Sequence, residues 1–446
     1  MNQKQQPRVV IVGGGFGGLN AANALAKLPV EITLIDRKNY HNFQPLLYQV
    51  ATAGLSPGEI AAPIRGVLKK YRNVEVLMGE VVGFDLDKRR VLLSDGSIPY
   101  DYLVVAAGAT HSYFGHEDWQ KLAPGLKTIE DAIEVRRRVL LAFELAERSV
   151  VLEHEHDLDP IQFVIVGGGP TGVELAGMLS EIARHAIVRD FRSIKPQQTS
   201  IILVEGGPRV LPAYPEDLSR SAERQLHKLG VEVRTNSMVT SVEPGRVKIG
   251  DSYLRSTVTL WAAGVAASPL GRALGAPLDK SGHVLVNPDL SISGHPEVFV
   301  IGDLASLRDK SGELLPGLAP VAMQQGRHAA RNISRDLKHQ PRGKFEYLDK
   351  GTMATIGRAA AIAKIGRLHL TGFIAWFLWL FVHLMYLVGF RNRVLVLLEW
   401  AWAYITYQRS ARLITGSEVL PGLSEPRGQT VSTSTLQADV KKTKAS

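Results

Sequence analysis

Cysteine is absent from all 446 residues. That absence excludes structural disulfides, thiolate metal sites, iron–sulfur ligation and any thiol-based redox relay, and no metal is expected. A secretory signal is missing as well. The N-terminal MNQKQQPRVVIVGGG has only a short apolar stretch before its glycines, which points to the cytoplasmic side. Wholesale disorder is excluded, because 45% hydrophobic and 21% charged residues is ordinary for folded chains. The length suffices for two or three domains with substantial cores.

Charge and glycine are what the chain has in excess. Basic residues outnumber acidic ones by 52 to 43, a formal net charge of +9. Such a balance suits nucleic acid, an anionic membrane surface or acidic ligands. Nucleic acid is disfavoured, since the basic residues are dispersed and no binding module is recognisable. Glycine numbers 42 residues, against a background of about 7%.

Much of that glycine falls in two fingerprints. Val9–Val12 reads as a buried strand, GGGFGG follows, and a helical pattern runs around Leu19–Leu28. Gly13, Gly15 and Gly18 thus fit G-x-G-x-x-G between strand and helix. The first glycine permits the tight turn, the second lets backbone amides approach a pyrophosphate, and the third lets helix and strand pack closely. Val30–Ile35 is the next strand. It ends at Asp36, where a carboxylate accepts hydrogen bonds from ribose hydroxyls. Leu103–Ala107 is a further apolar strand closed by Gly108, and Ile129–Arg148 reads as a helix.

The cycle then repeats. Phe163–Val166 precedes GGGPTG, which supplies Gly167, Gly169 and Gly172, and Val173–Asp190 reads as one long helix. Ile201–Val204 ends at Glu205, 38 residues after Gly167, with the polar loop Arg192–Thr199 absorbing the extra length. An acid there accepts from a 2′-hydroxyl and repels a 2′-phosphate, favouring NADH over NADPH, although Arg209 stands nearby. Leu260–Ala263 with Gly264 parallels the earlier strand closed by Gly108. Two intact units imply two dinucleotides. The economical pair is a bound flavin and a diffusing nicotinamide, stacked for hydride transfer.

By these residues the chain resembles the two-dinucleotide-binding-domain flavoproteins, which hold FAD in the N-terminal unit and NAD(P)H in an inserted second one. Tyr100–Ala109 (YDYLVVAAGA), Trp261–Val265 (WAAGV) and Val298–Asp303 (VFVIGD) carry the likeness further. The resemblance implies that Asp303 meets the flavin's ribityl chain. Within this group the chain is most similar to type II NADH dehydrogenases. Asn42–Ala51 (NFQPLLYQVA), Gly167–Gly177 (GGGPTGVELAG), Leu318–Gly326 (LAPVAMQQG) and the GTMATIGRAAAIAKIGRLHLTGF stretch carry that likeness, over about residues 7 to 416.

The resemblance implies roles for several residues. Glu174 belongs near the nicotinamide and flavin edge, at hydride or proton transfer, although an acid favoured by the helix N-terminus would read the same. Ala322 and the helix start around it belong beside the flavin, Gln324 at the catalytic centre, and Gln324, Gln325 and Lys364 by the quinone. Pro320 replaces a glutamine that relatives often carry, so one hydrogen-bond donor expected at the quinone is missing. Lacking cysteine, the chain also departs from disulfide reductases, thiol peroxidases and sulfide:quinone reductases on the same scaffold.

Between Arg367 and Arg391 lie 23 residues without a formal charge, LHLTGFIAWFLWLFVHLMYLVGF. A spanning helix needs about 20 predominantly apolar residues. Here, though, polar residues interrupt the run, and Trp376, Trp379 and Tyr386 sit inside it rather than at its ends. A second apolar stretch, Val394–Tyr407, carries Glu399 and further aromatics, with Arg391, Arg393, Arg409 and Arg412 at the margins. Two helices lying in the membrane interface are expected, with a spanning hairpin and a buried core or dimer contact as the alternatives. Residues 417–446 are rich in Ser, Thr, Gly, Pro and Lys and are expected to be a disordered tail.

The expected fold is α/β, with two Rossmann-like dinucleotide-binding domains and a C-terminal amphipathic helical membrane-binding region. Residues 1–115 and 291–345 would form the FAD domain, 116–290 the NADH domain and 346–416 the membrane-binding region. The expected function is a non-proton-pumping NADH:quinone oxidoreductase, peripheral on the cytoplasmic face of the cell membrane. Its partners would be NADH, a membrane quinone and the lipid surface, with a homodimer left open. The alternatives are an NADH-dependent reductase of a soluble carrier such as ferredoxin or rubredoxin, and a flavoprotein sensor without turnover.

Overall fold

Continuous apolar runs such as Val9–Val12 and Phe163–Val166 suit parallel strands buried on both faces. The computed structural model, which describes residues 6–153, 160–186, 190–406 and 411–415, builds two such sheets. In the first, the order is Ser291–Ile292, His295–Val300, Tyr102–Val105, Arg8–Val12, Glu31–Asp36 and Val74–Met78. All neighbours are parallel except the first pair. In the second, Val258–Trp261, Ile161–Val166, Thr199–Val204 and Val231–Arg234 lie side by side, all parallel.

The duplication reaches down to single hydrogen bonds. In each unit the first strand is central, flanked by the second and fourth, with the third outside the second. Gly13 N donates to Ile35 O at 2.8 Å, and Gly167 N donates to Val204 O at 2.7 Å. Ala106 N and Ala262 N donate to Val12 O and Val166 O, both at 2.7 Å. Each unit also inserts a three-stranded antiparallel meander between its third and fourth strands. These are Val81–Asp85 with Arg90–Leu93 and Gly96–Pro99, and Val239–Glu243 with Arg246–Ile249 and Ser252–Arg255. Short strands Ala109–His111 and Val265–Ala267 begin just after Gly108 and Gly264. They pair antiparallel, tying the units together where the chain passes between them.

Two helical expectations are corrected. The helix expected over Val173–Asp190 is an α-helix, Pro170–Glu181, followed by a π-helical turn, Ile182–Ala186. That turn keeps Ile182 and Ala183 in the core while exposing Arg184 and His185. The helix expected to stop at Arg148 continues to Glu153.

After the long helix Ala319–Leu337 the chain forms a three-stranded antiparallel sheet, Thr352–Gly357, Ala360–Ile365 and Leu368–Thr371. This sheet presses on the second fingerprint helix at Gly177, where a Cβ would lie 1.5 Å from Ile356 O. Two further helices follow, Gly372–Tyr386 and Phe390–Thr406. Ala375, Trp379, Asn392 and Val396 are buried, and the four-residue spacing within each pair marks one inward stripe per helix. Phe373, Phe377 and Phe381 on the first helix, and Phe390, Trp402 and Ile405 on the second, are each more than half exposed. No helix among the described residues is long and apolar enough to cross a membrane. The expected tail, residues 417–446, lies outside the described residues.

Candidate functional site

The two fingerprints form matching cradles. Gly13 and Gly167 adopt φ of +105° and +109°, open to glycine at little cost. A Cβ on Gly18 or Gly172 would come within 1.8 or 1.9 Å of the first glycine's carbonyl oxygen, so only glycine fits there. Gly15 and Gly169 are extended N-cap residues without a side-chain cap, and each faces open space. The first-turn amides of both helices are therefore available to an anion.

A carboxylate closes each cradle. Asp36 Oδ2 accepts from Gly14 N at 2.6 Å and Oδ1 from Lys38 N at 2.7 Å. Glu205 Oε2 accepts from Gly168 N at 2.6 Å and Oε1 from Gly207 N at 2.7 Å. A carboxylate offers about four lone-pair positions, so each retains capacity for ribose hydroxyls. The structure thus fits a dinucleotide in each unit by the same chemistry. Arg209 is already engaged, donating to the carbonyls of Pro212 and Tyr214 at 2.8 Å. His41, which the sequence did not single out, is buried beneath the first cradle. Its Nδ1 lies 3.1 Å from Gly14 O, and burial lowers its pKa.

Around the first cradle, Asp303 follows the strand His295–Val300, with Lys127 Nζ 3.9 Å from its Oδ2. Ala322 is buried beside the first cradle, its carbonyl 3.5 Å from where a Cβ on Gly17 would sit. The two glutamines depart from expectation. Gln325 is buried and accepts from Gly302 N at 2.6 Å, fixing the turn that carries Asp303. Gln324 donates to Leu348 O and accepts from Leu348 N, both at 3.0 Å, tethering the segment that leads into the C-terminal sheet. The Gln325 oxygen and both ends of the Gln324 carboxamide thus bond to the backbone. Lys364 sits in the strand Ala360–Ile365, opposite Thr352 and His369.

Glu174 lies in the second fingerprint helix, against the C-terminal sheet. Burial pushes its carboxyl well above the ordinary range, opposed by a hydrogen bond from the Thr355 backbone. Tyr214 shares this region. Burial and the nearby Glu174 charge push its hydroxyl upward, while a bond with the Thr352 side chain opposes them. The second cradle, the C-terminal sheet and a carboxyl pushed above its ordinary range are thereby brought together.

Beyond that sheet opens a small cavity of about 100 Å³, lined by Tyr48, Gln49, Glu181, His185, Arg358, Trp376, Trp379, Trp400 and Tyr404 among others. Trp400 Nε1 donates to Gln49 Oε1 at 2.7 Å, and Gln49 Nε2 donates to the Tyr48 hydroxyl at 2.9 Å. Arg358 lies 3.9 Å over the Tyr404 ring, and its backbone N–H donates to Glu181. Tyr48 and Gln49 lie within NFQPLLYQVA, but nothing in their uncharged side chains signalled a cavity wall.

Two sheets with matching nucleotide cradles, and no cysteine near either, define a two-nucleotide oxidoreductase scaffold without thiol chemistry. Residues 7–326 match the pyridine nucleotide-disulphide oxidoreductase family model, and residues 350–407 match the NDH2 C-terminal domain. The chain is 44% identical over 442 residues to the type II NADH:quinone oxidoreductase Ndh of Mycobacterium tuberculosis, covering 94% of each chain. It is also 44% identical to NdhA of the same organism, covering 92% of this chain and 90% of the relative. The solved structure of NDH2 from Plasmodium falciparum in complex with NADH superposes with a TM-score of 0.82 at 21% identity, covering 90% of this chain and 98% of that one. The chain belongs to the type II NADH:quinone oxidoreductase family.

The raised pKa of the half-buried Glu174 carboxyl generates a pH prediction. Folding raises its pKa above the unfolded value, so stability is greatest below the unfolded pKa and declines as pH rises towards the folded one. Glu174→Gln keeps the shape and removes the titration. The variant and wild type should melt together at pH 5, and at pH 8 the variant should melt a few degrees higher. Equal melting temperatures at both pH values would remove the raised-pKa assignment.

Proposed function

We propose that this protein is an FAD-dependent, non-proton-pumping NADH:quinone oxidoreductase, peripheral on the cytoplasmic face of the cell membrane. The observation that carries the reading is the pair of matching cradles, joined to a C-terminal region that ends in an exposed apolar surface. Residues 1–115 and 291–345 make up the flavin domain, 116–290 the NADH domain and 346–416 the membrane-binding region. The net reaction balances as NADH, one proton and a quinone giving NAD⁺ and a quinol.

The N-terminal cradle suits FAD, with Asp36 on the adenosine ribose, the Phe16–Leu25 helix start facing the pyrophosphate and Asp303 at the ribityl chain. Bound FAD supplies two-electron relay chemistry between a nicotinamide and a quinone. The uncapped start of Ala319–Leu337, with Ala322 in its first turns, presents amide dipoles that favour negative charge. Glu205 holds the ribose of NADH, and its charge disfavours the 2′-phosphate of NADPH. Glu174, its carboxyl pushed well above the ordinary range, stands beside the second cradle where a proton can be held or passed. Lys364 contributes positive charge on the quinone side.

The exposed apolar faces of the last two helices suit burial in the headgroup and acyl boundary, with Arg391 and Arg393 towards lipid phosphates. Membrane attachment has a chemical reason, because a long-tailed quinone stays in the bilayer.

Anaerobic titration of the detergent-solubilised protein tests the redox reading. NADH should bleach the flavin absorbance, and a short-tailed quinone should restore it rapidly. Bleaching without recovery would favour a soluble protein carrier as acceptor, and no bleaching would overturn the NADH assignment. Vesicle flotation tests the membrane reading. A Phe377→Glu, Phe381→Glu double variant should stay unbound where wild type floats, while NADH still bleaches its flavin. A double variant that floats like wild type would contradict it.

A further inference from the structure

The two units match bond for bond beyond their cradles. Gly79 N donates to Asp36 O at 3.0 Å, and Ser237 N donates to Glu205 O at 2.9 Å. Two residues later, Val81 and Val239 are both buried and open the two meanders, each with a register shift after its first pair. Glu80 and Met238 therefore hold the same place, one residue beyond the amide that meets the acid-bearing strand. In the first unit that place is charged. In the second it is an apolar thioether, 66% exposed.

A single exposed apolar side chain is ordinary on a protein surface and says nothing by itself. Position is what distinguishes Met238. Its Cε lies 2.9 Å from where a Cβ on Gly206 would stand, so the thioether rests against the glycine that follows Glu205. The loop that carries it is tied to the acid's own loop by two backbone bonds. Ser237 N meets Glu205 O, and Asn236, at a φ of +51°, donates its N–H to Gly207 O at 2.8 Å. Asparagine tolerates that left-handed conformation better than most residues.

Strand order gives the direction of a bound nucleotide. In the second sheet Val258–Trp261 lies on one side of Ile161–Val166, with Thr199–Val204 and then Val231–Arg234 on the other. A dinucleotide crossing the carboxyl ends sets its pyrophosphate at the helix start and its adenosine ribose at the acid, Glu205. Its nicotinamide then points towards Val258–Trp261. Its adenine continues past Glu205 towards Val231–Arg234, and the loop after that strand carries Met238.

We propose that Met238 is the platform for the adenine ring of NADH, its thioether meeting the ring at the outer end of the second cradle. Sulfur against an aromatic ring is a favourable contact, and the unbranched side chain can swing off Gly206 to admit the base. Met238 is on this account a specificity-determining residue: it favours nucleotides that carry an adenine over those that lack one. The inference rests on the NADH reading of the second unit given above.

The test compares wild type with Met238→Ala, a change at an exposed side chain. Calorimetry measures binding of ADP-ribose, which has the adenosine half of NADH and no nicotinamide. The Kd for ADP-ribose should rise about fivefold in the variant, within the range of one sulfur–aromatic contact, and the NADH KM should rise with it. An unchanged Kd, in protein whose flavin NADH still bleaches, overturns the inference and leaves the NADH reading standing. Wild type whose flavin NADH does not bleach overturns that reading, and the inference with it.

A second measurement reads the contact in wild type. In protein labelled with ¹³C at its methionine methyls, ADP-ribose should shift the one resonance that the Met238→Ala spectrum lacks. Nicotinamide mononucleotide, which has no adenine, should leave it in place. No shift with ADP-ribose, or equal shifts with both, overturns the inference.

Discussion

One short hydrogen bond organises each half of this molecule. The amide of the second glycine in each fingerprint donates to the carboxylate at the end of the neighbouring strand, Gly14 to Asp36 and Gly168 to Glu205, both at 2.6 Å. The bond needs the first glycine's positive φ, the close approach of the third and the parallel register of the two strands. Once formed, it fixes where the helix N-terminus points and where the acid waits for a ribose. Charge on that acid strengthens the bond relative to a neutral acceptor.

The second cradle is not independent of the C-terminal region. The helix that starts at Gly169 continues to Gly177, where the C-terminal sheet lies against it with no room for a side chain. The same helix contributes Glu174 and Glu181, and Glu181 accepts the Arg358 backbone N–H at the aromatic cavity. One helix thus runs from the second cradle past Glu174 to the cavity beside the last two helices. His369 and Asp217 add a bridge at 2.8 Å between the C-terminal sheet and the NADH-side helix Glu216–Lys228. This bond is partly exposed and contributes little by itself. Packing at Gly177 is the stronger connection.

How much of this was legible in the sequence divides along physical lines. The two sheets announced themselves because strands buried on both faces read as unbroken apolar runs, and because Gly13, Gly18, Gly167 and Gly172 stand where only glycine fits. The end of the second fingerprint helix was misread, since a π turn preserves helical composition and changes only its hydrogen bonding. Roles of side-chain amides were not legible. Gln325 and Gln324 find their backbone partners 23 and 24 residues away, and spacing cannot distinguish such a bond from one to a ligand. The cavity was hidden for the same reason, its Trp400–Gln49 bond joining residues 351 positions apart.

The central claim is that two similar cradles serve different nucleotides, flavin in the first and NADH in the second. The most direct test is to purify Asp36→Ala and Glu205→Ala and measure, for each, bound flavin per chain and KM for NADH. The account predicts that Asp36→Ala carries clearly less than one flavin per chain. It predicts that Glu205→Ala keeps its flavin and raises the NADH KM about tenfold, as expected for a lost charge-assisted hydrogen bond. Flavin lost from Glu205→Ala and retained by Asp36→Ala would contradict the assignment.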